Sequence, residues 1–392
     1  MGHGDRRVGE RPGTTPFPSN LPALTSVRFF LALGVVLFHY QLQWSWDSET
    51  ATGLLDRARL GVDAFFILSG FVLTHAYREA LEAGRLNYGR FLVARFARIY
   101  PAHIAVLAFV GVMVAGASLI GAEFDRDFYN PLGLLTTLLL VHAWLPEVIK
   151  AEWNGPSWSL SAEWFAYLAF PAFAWVGLKL RNRPGLLLAL AGAVFVALDL
   201  FYQAVFGKVV VHAEAGMGIL RIIPEFLYGI ALYRLGQPIT LTRPVAVATA
   251  WASALALLTL MHLKADDRLV VVMAGPLILA LALLSKTGTT GPLASRTLLL
   301  GGEASYALYL VHMPVLIAWK GVISALTGQD SSYVLAWWEV GALLALTLAA
   351  AVALHLLFEG PARSWIRRQA DRVWPQPDAR ARMKPGSQPP DV

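Results

Sequence analysis

The chain has 392 residues, of which 56% are hydrophobic and 15% are charged, and its formal net charge is +6. This composition excludes an ordinary soluble globule and predicts a polytopic helical membrane protein. The sequence has no cysteine, which excludes thiol nucleophiles, disulfides and cysteine-ligated metals. We attribute the excess of basic residues to cytoplasmic loops rather than to nucleic-acid binding.

Ten apolar stretches are long enough to span a bilayer. An eleventh, 131–145, is short. We expect it to be re-entrant or interfacial, because a full crossing would place the basic segment 179–185 outside. With this assignment the basic loops share one side, and both termini are predicted to be cytoplasmic. The ten predicted spans are 22–41, 59–76, 99–120, 158–178, 184–204, 216–235, 244–262, 268–285, 300–319 and 334–358.

The predicted fold is therefore all-α, a polytopic membrane protein with about ten transmembrane helices and one short re-entrant or interfacial helix. The charged, glycine- and proline-containing ends predict a disordered cytoplasmic segment at 1–20 and a disordered cytoplasmic tail at 367–392. These ends flank a predicted transmembrane domain at 21–366.

The first span, SVRFFLALGVVLFHY, carries Arg28 near one end and His39 near the other. At 100° per residue the two side chains differ by about 20° around the helix and lie about 16–17 Å apart along its axis. One helix face thus offers an anion site in the cytoplasmic half and a titratable group in the outer half. Two other interpretations stay open: Arg28 could snorkel to the inner interface, and His39 could be an interfacial histidine.

The second span places Asp63 at the depth of His39, in the segment GVDAFFILSGF. A neutral histidine is a suitable general base, and a carboxylate can orient its ring and stabilise the imidazolium. Asp63 could equally cap the N-terminus of its helix. The small residues Ser69 and Gly70 in the same span are expected to allow close helix packing.

The segment FLVARFARIYP places Arg95, Arg98 and Tyr100 where a basic loop enters the third span. Arginine binds phosphate through a planar fork, so these residues could form an anion pocket. They could also be ordinary anchors on the positively charged side of the membrane.

The segment WNGPSWSLSAEWFAY places Glu163 inside a span, where a lone carboxylate points to function. Trp153 and Trp158 could lie at the interface or stack on sugar rings. Arg221 could pair with Glu163 or with Asp63. For His312, a hydrogen-bonded core position is favoured over catalysis.

These motifs, in this order and spacing, resemble the acyltransferase 3 family of integral membrane acyltransferases over about residues 22–366. The resemblance implies about ten spans, an acyl-CoA donor and a hydroxyl acceptor, usually a sugar of an extracytoplasmic glycan. Some members carry a fused periplasmic domain, and we expect this chain to be the stand-alone form. The matching motifs are Arg28 with His39, GVDAFFILSGF (61–71), FLVARFARIYP (91–101), PSWSLSAEWFAY (156–167), RIIPEFLYGI (221–230), SYALYLVHMPV (305–315) and FEGPARS (358–364).

The expected function is transfer of an acyl group, by preference acetyl, from cytosolic acyl-CoA to an extracytoplasmic glycan or lipid-linked sugar at the plasma membrane. An alternative acceptor is a glycosylated secondary metabolite, such as a macrolide sugar. The sequence also leaves open a covalent acyl-histidine intermediate. An alternative function outside the enzymes is that of a membrane transporter or flippase. No metal is expected. The expected catalytic residues are His39, Asp63 and Glu163, the donor-binding residues are Arg28, Arg95, Arg98 and Tyr100, and the acceptor-binding residues are Trp153, Asn154, Trp158, Ser159 and Arg221.

Overall fold

The computed structural model describes residues 16–44, 52–119, 121, 127–146, 153–288 and 290–374. Over this part of the chain the structure is helical and has no β-strand, which confirms the predicted fold class. The helices are α1 (Pro22–Gln41), α2 (Leu54–Arg57), α3 (Gly61–Glu82), α4 (Tyr88–Leu119), α5 (Pro131–Leu138), α6 (Trp158–Leu168), α7 (Phe170–Lys179), α8 (Pro184–Phe206), α9 (Ile219–Gly236), α10 (Arg243–His262), α11 (Asp267–Ser285), α12 (Arg296–Thr327), α13 (Trp337–Leu354) and α14 (Gly360–Val373).

Eight helical segments in the described part of the chain are long and apolar enough to cross a membrane. The predicted span 158–178 is divided into α6 and α7, and Pro171 in the first turn of α7 cannot donate a backbone hydrogen bond. The predicted span 216–235 corresponds to α9, which buries three charged residues. Because these two segments differ from the other eight, the count of ten spans stays a prediction.

The short stretch 131–145 forms helix α5 followed by turns. Eight residues of α-helix rise about 12 Å, which is well short of the roughly 30 Å hydrocarbon core. The side chain of Asn130 caps this helix by accepting a hydrogen bond from the backbone N–H of Gly133. A full helical crossing by α5 is therefore excluded on length.

Packed residues are found on both sides of the domain boundaries predicted at 21 and 366. Phe17, placed in the predicted disordered segment, is buried, and its ring centroid lies 5.5 Å from that of Phe71 and 5.6 Å from that of Tyr233. Helix α14 continues to Val373, past the predicted start of the tail, and Arg90 of α4 pairs with its Asp371 at 2.5 Å. These contacts join Phe17 and Asp371 to the bundle, and the domain boundaries stay predictions.

Two very close helix crossings determine how the polar residues meet. A Cβ atom added at Gly302 of α12 would lie 1.9 Å from the carbonyl oxygen of Thr25 in α1. A Cβ added at Gly70 of α3 would lie 2.1 Å from the carbonyl oxygen of Phe226 in α9. Only glycine permits such backbone contact. The expected packing role of Gly70 is therefore confirmed, and α1 with α12 and α3 with α9 form the tightly packed centre.

Candidate active site

Two adjoining cavities lie in the centre of the bundle. The arginine cavity, of about 140 Å³, is lined by Arg28, Arg95, Arg98 and Glu163 among others. The histidine cavity, of about 380 Å³, is lined by His39, Arg59, Trp158, Glu214 and Arg221 among others. Val62 and Tyr309 line both cavities, so these two side chains lie between them.

The arginine cavity carries more positive than negative charge. Arg98 pairs with Glu359, whereas no ion pair to Arg28 or Arg95 is found in the described part of the chain. The Nε atom of Arg95 and the Nη2 atom of Arg98 are buried without a hydrogen-bond partner there. An uncompensated buried cation is costly. The cavity is therefore suited to an anionic ligand.

Aromatic rings and a π-helical turn hold these arginines in place. Arg95 and Arg98 are three residues apart on α4, so they share one face of the helix. The guanidinium carbon of Arg98 lies 5.2 Å from the ring centroid of Tyr306, and that of Arg95 lies 5.8 Å from the ring centroid of Tyr167. Glu359 belongs to the π-helical turn His355–Glu359, a type of irregularity that often occurs at functional sites.

Glu163 lies on the arginine cavity rather than beside His39. Its Oε1 atom accepts hydrogen bonds from the hydroxyl groups of Ser69, at 2.8 Å, and Tyr167. These donors stabilise the carboxylate. The structure therefore places the predicted catalytic Glu163 among the predicted donor-binding arginines.

His39 forms a pair with His312 at the histidine cavity. The Nδ1 atom of His39 lies 2.9 Å from the carbonyl oxygen of Val35 and 3.2 Å from the Nε2 atom of His312. The Nδ1 atom of His312 lies 2.7 Å from the carbonyl oxygen of Tyr309. Because a carbonyl oxygen only accepts, each Nδ1 atom must carry a proton.

These contacts fix the tautomers of both neutral histidines. The Nε2 atom of His312 has a lone pair that accepts from Nδ1–H of His39, and the Nε2 atom of His39 has a lone pair that makes it a potential base. If His39 gains a proton at Nε2, its Nδ1–H group still donates to the carbonyl oxygen of Val35 and to the Nε2 atom of His312. His312 and Val35 thus supply the orientation that the sequence had predicted for Asp63.

Asp63 pairs with Arg221 instead of His39. Its carboxylate accepts two hydrogen bonds from this guanidinium, from Nη2 at 2.6 Å and from Nε at 3.1 Å. Both side chains are buried, and Arg221 also donates to the carbonyl oxygen of Ala213 at 3.0 Å. The close packing of α3 against α9 brings the pair together. One of the two partners predicted for Arg221 is therefore observed, and the orienting role of Asp63 falls on Arg221.

Of the predicted acceptor-binding residues, Trp158 and Arg221 line the histidine cavity. The guanidinium carbon of Arg221 lies 4.7 Å from the ring centroid of Trp158, a cation–π contact that orients both groups. Ser159 lines the arginine cavity and donates to the hydroxyl of Tyr309 at 2.9 Å. Ser159 therefore lies near the boundary between the two cavities rather than at an outer acceptor site.

Three further predicted residues are not among the lining residues of either cavity. The indole N–H of Trp153 donates to the carbonyl oxygen of Asn130 at 3.0 Å, and the side-chain amide of Asn154 donates to that of Leu310 at 3.2 Å. The hydroxyl of Tyr100 donates to the carbonyl oxygen of Leu139 at 3.2 Å. These contacts tie loops to helices, and the binding roles predicted for the three residues stay predictions.

The sequence does not single out Arg59 and Glu214, which line the histidine cavity. The Nη2 atom of Arg59 lies 2.7 Å from Asp267, while its Nη1 atom is buried with no hydrogen-bond partner among the described residues. The sequence signal that could have pointed to Arg59 is its position four residues before Asp63, because this spacing brings two side chains onto one helix face. Glu214 lies in a connecting segment that carries no motif.

No group of three or more histidine, aspartate or glutamate side chains in the described part of the chain could hold a metal ion.

Comparison with known proteins identifies the family of the chain. The acyltransferase 3 family model, described as an acyltransferase domain, matches residues 21–356. "Acyltransferase MdmB" of Streptomyces mycarofaciens is 32% identical over 382 residues, covering 89% of this chain and 93% of the relative. "Putative O-acetyltransferase SACOL0978" of Staphylococcus aureus (strain COL) is 24% identical over 235 residues, covering 56% of this chain and 36% of the relative. No solved structure matches the chain.

The apolar helices and the family match together define a multi-pass membrane acyltransferase. The chain belongs to the acyltransferase 3 family, because the family model matches most of its length and a relative of similar length is an acyltransferase.

Proposed function

We propose that the protein transfers an acyl group, by preference acetyl, from cytosolic acyl-CoA to a hydroxyl group of an extracytoplasmic glycan, a lipid-linked sugar or a glycosylated small molecule. The donor enters through the arginine cavity, and the acceptor enters through the histidine cavity. The observation that carries this proposal is that the two cavities adjoin at Val62 and Tyr309. The proposed location is the plasma membrane.

Charge supports acyl-CoA as the donor. Its phosphates are anionic, and Arg28, Arg95 and Arg98 offer guanidinium groups that are incompletely paired among the described residues. Arginine forks match phosphate geometry. Glu163 faces the same cavity and is held by two hydroxyl groups, which suits a group that orients an arginine rather than one that removes the acceptor proton.

The proposed chemistry uses the free Nε2 atom of His39. This atom accepts the hydroxyl proton while the acceptor oxygen attacks the thioester carbonyl carbon. A new C–O bond forms, the C–S bond breaks, and His39 returns the proton to the departing thiolate of CoA. His312 and the Val35 carbonyl stabilise the transient imidazolium through Nδ1–H. Direct transfer needs no acyl-histidine, although a covalent intermediate uses the same nitrogen.

The polar character of the histidine cavity supports a hydroxylated acceptor. Arg59, Glu214 and Arg221 provide donors and acceptors, and Trp158 provides an aromatic face. Sugars combine hydroxyl groups with an apolar ring face, so they fit this mixture. The name of the Staphylococcus relative includes O-acetyltransferase, which agrees with transfer to oxygen.

The proposed function is tested with radiolabelled acetyl-CoA. The purified protein is incubated with extracytoplasmic glycans isolated from a strain that lacks the gene. We expect label in an alkali-labile ester with wild-type protein and a large loss of label with His39→Ala. Equal labelling by folded His39→Ala protein would remove His39 from the mechanism, and acetyl-CoA that neither binds nor is consumed would overturn the donor assignment.

A further inference from the structure

A third cavity opens at the end of the bundle that carries Arg28. This surface pocket, of about 530 Å³, lies between the end of α3, the start of α4 and helix α14. Its lining residues include Tyr77, Arg85, Asn87, Arg90, Phe91 and Arg367.

The surface pocket has an excess of positive charge. Among its lining residues, Asp371 is the acidic side chain, and it pairs with Arg90 at 2.5 Å. Arg85 and Arg367 are both exposed. An anion in the pocket would therefore be attracted by the surrounding guanidinium groups.

Arg95 lies between the surface pocket and the arginine cavity. Its guanidinium carbon lies 6.0 Å from the ring centroids of both Tyr77 and Phe91, which line the surface pocket. The same carbon lies 5.8 Å from the ring centroid of Tyr167, which lines the arginine cavity. The Arg95 side chain therefore stands between the two cavities, and a ligand that occupied both would have to pass this arginine.

We propose that the surface pocket binds the 3′-phosphate of the nucleotide of the acyl-CoA donor. This inference rests on the proposed function. Arg85 and Arg367 bind oxygens of the 3′-phosphate, the diphosphate meets the arginines of the arginine cavity, and the pantetheine arm brings the thioester toward Tyr309. A phosphate ester could also come from an anionic lipid headgroup at the membrane surface. The position of the pocket beside Arg95, which also lines the arginine cavity, favours the nucleotide, because a headgroup has no part that must enter the bundle.

The test compares two donors and two double variants of the full-length protein in detergent. Acetyl-CoA carries the nucleotide, whereas S-acetylpantetheine lacks it. Arg85→Gln/Arg367→Gln removes two charges from the surface pocket. Arg181→Gln/Arg183→Gln removes two charges from an exposed loop that is predicted to be on the same side of the membrane and lies outside the pocket. Affinities are measured by calorimetry, with thermal unfolding as the folding control.

We expect Arg85→Gln/Arg367→Gln to weaken acetyl-CoA binding about 10- to 100-fold, because charge-assisted contacts to phosphate are lost. Its affinity for S-acetylpantetheine should stay at the wild-type value, which also shows that the arginine cavity is intact. The control variant Arg181→Gln/Arg183→Gln should bind both donors as the wild type does.

Distinct outcomes separate this inference from the proposed function. If wild-type protein binds neither donor, the donor assignment itself fails. If the pocket variant binds acetyl-CoA as tightly as wild type, the donor assignment holds and the surface pocket is not its nucleotide site. If that variant loses only co-purified anionic lipid, as seen by native mass spectrometry, the pocket is a headgroup site and the inference is overturned.

Discussion

The bundle buries arginines in two contrasting ways. Arg221 is matched by Asp63, with two hydrogen bonds to one carboxylate and a third to a backbone carbonyl. Arg28 and Arg95 line a cavity without an ion pair among the described residues. A matched charge pair fixes two helices relative to each other, whereas an unmatched cation beside a cavity is available to a ligand. Arginines inside one bundle are therefore neutralised within the fold in one place and left available to a ligand in the other.

The histidine pair shows the largest expected effect on activity. His39→Ala removes the proposed base, so turnover should fall about 10²–10⁴-fold. Binding of acetyl-CoA should be unchanged, because His39 lines the other cavity. Release of CoA in the presence of acceptor measures the first effect, and calorimetry measures the second. A parallel loss of donor affinity would show that the two cavities do not work separately.

Breaking the pair of Asp63 and Arg221 should have a large effect on stability rather than on activity. Asp63→Leu removes the carboxylate that hydrogen-bonds the buried Arg221 guanidinium and should destabilise the fold by about 3–5 kcal/mol. The double variant Asp63→Leu/Arg221→Leu removes both charges and should recover most of this loss. Thermal unfolding in one detergent compares the three proteins. A double variant as unstable as the single one would mean that the pair does more than compensate charge.

The comparison also shows what the sequence could and could not predict. Helical periodicity put Arg28 and His39 on one face, and the structure places each on one of two adjoining cavities. Depth alone suggested that Asp63 would meet His39, yet two residues at one depth can face different neighbours. The pairing with Arg221 depends on the close contact of α3 with α9 at Gly70. Sequence spacing within one helix cannot predict how two helices pack against each other.

The unmatched Arg28 should affect the donor most. Arg28→Ala should weaken acetyl-CoA binding by roughly 1.5–3 kcal/mol, the range for a charge-assisted hydrogen bond. Arg28→Lys should recover only part of the affinity, because it keeps the charge and loses the planar fork. Calorimetry on the two variants and wild type provides the comparison, with thermal unfolding as control. Full recovery by lysine would instead support an interfacial anchor.

His312 is expected to act as a positioning residue for His39. His312→Ala removes the acceptor of the Nδ1–H group and should lower kcat about 10- to 100-fold, the usual range for loss of such a partner. KM for the donor should stay constant. His312→Gln should restore part of the activity, because its amide oxygen can accept the same proton. A loss that appears only in protein stability, with kcat intact, would assign His312 to packing alone.

The smallest expected effect is that of Tyr100→Phe, which tests whether Tyr100 binds the donor or only stabilises the fold. Tyr100 follows Arg98 by two residues on α4, so its side chain lies about 200° away around the helix. Its hydroxyl donates to the carbonyl oxygen of Leu139, and its ring stacks on Phe96 with centroids 4.4 Å apart. Tyr100→Phe keeps the stack and removes one hydrogen bond, so stability should fall by only about 0.5–1.5 kcal/mol.

Donor affinity of Tyr100→Phe should equal that of wild type, in contrast to Arg28→Ala measured under the same conditions. Arg98, two residues earlier, lines the cavity while Tyr100 does not. The two residues were both predicted to bind the donor because they are close in the sequence, but they lie on different faces of α4. If Tyr100→Phe lost donor affinity at unchanged stability, the hydroxyl would have to turn toward the cavity when the donor binds. The contrast between ligand-binding and structural side chains on α4 would then depend on the bound state.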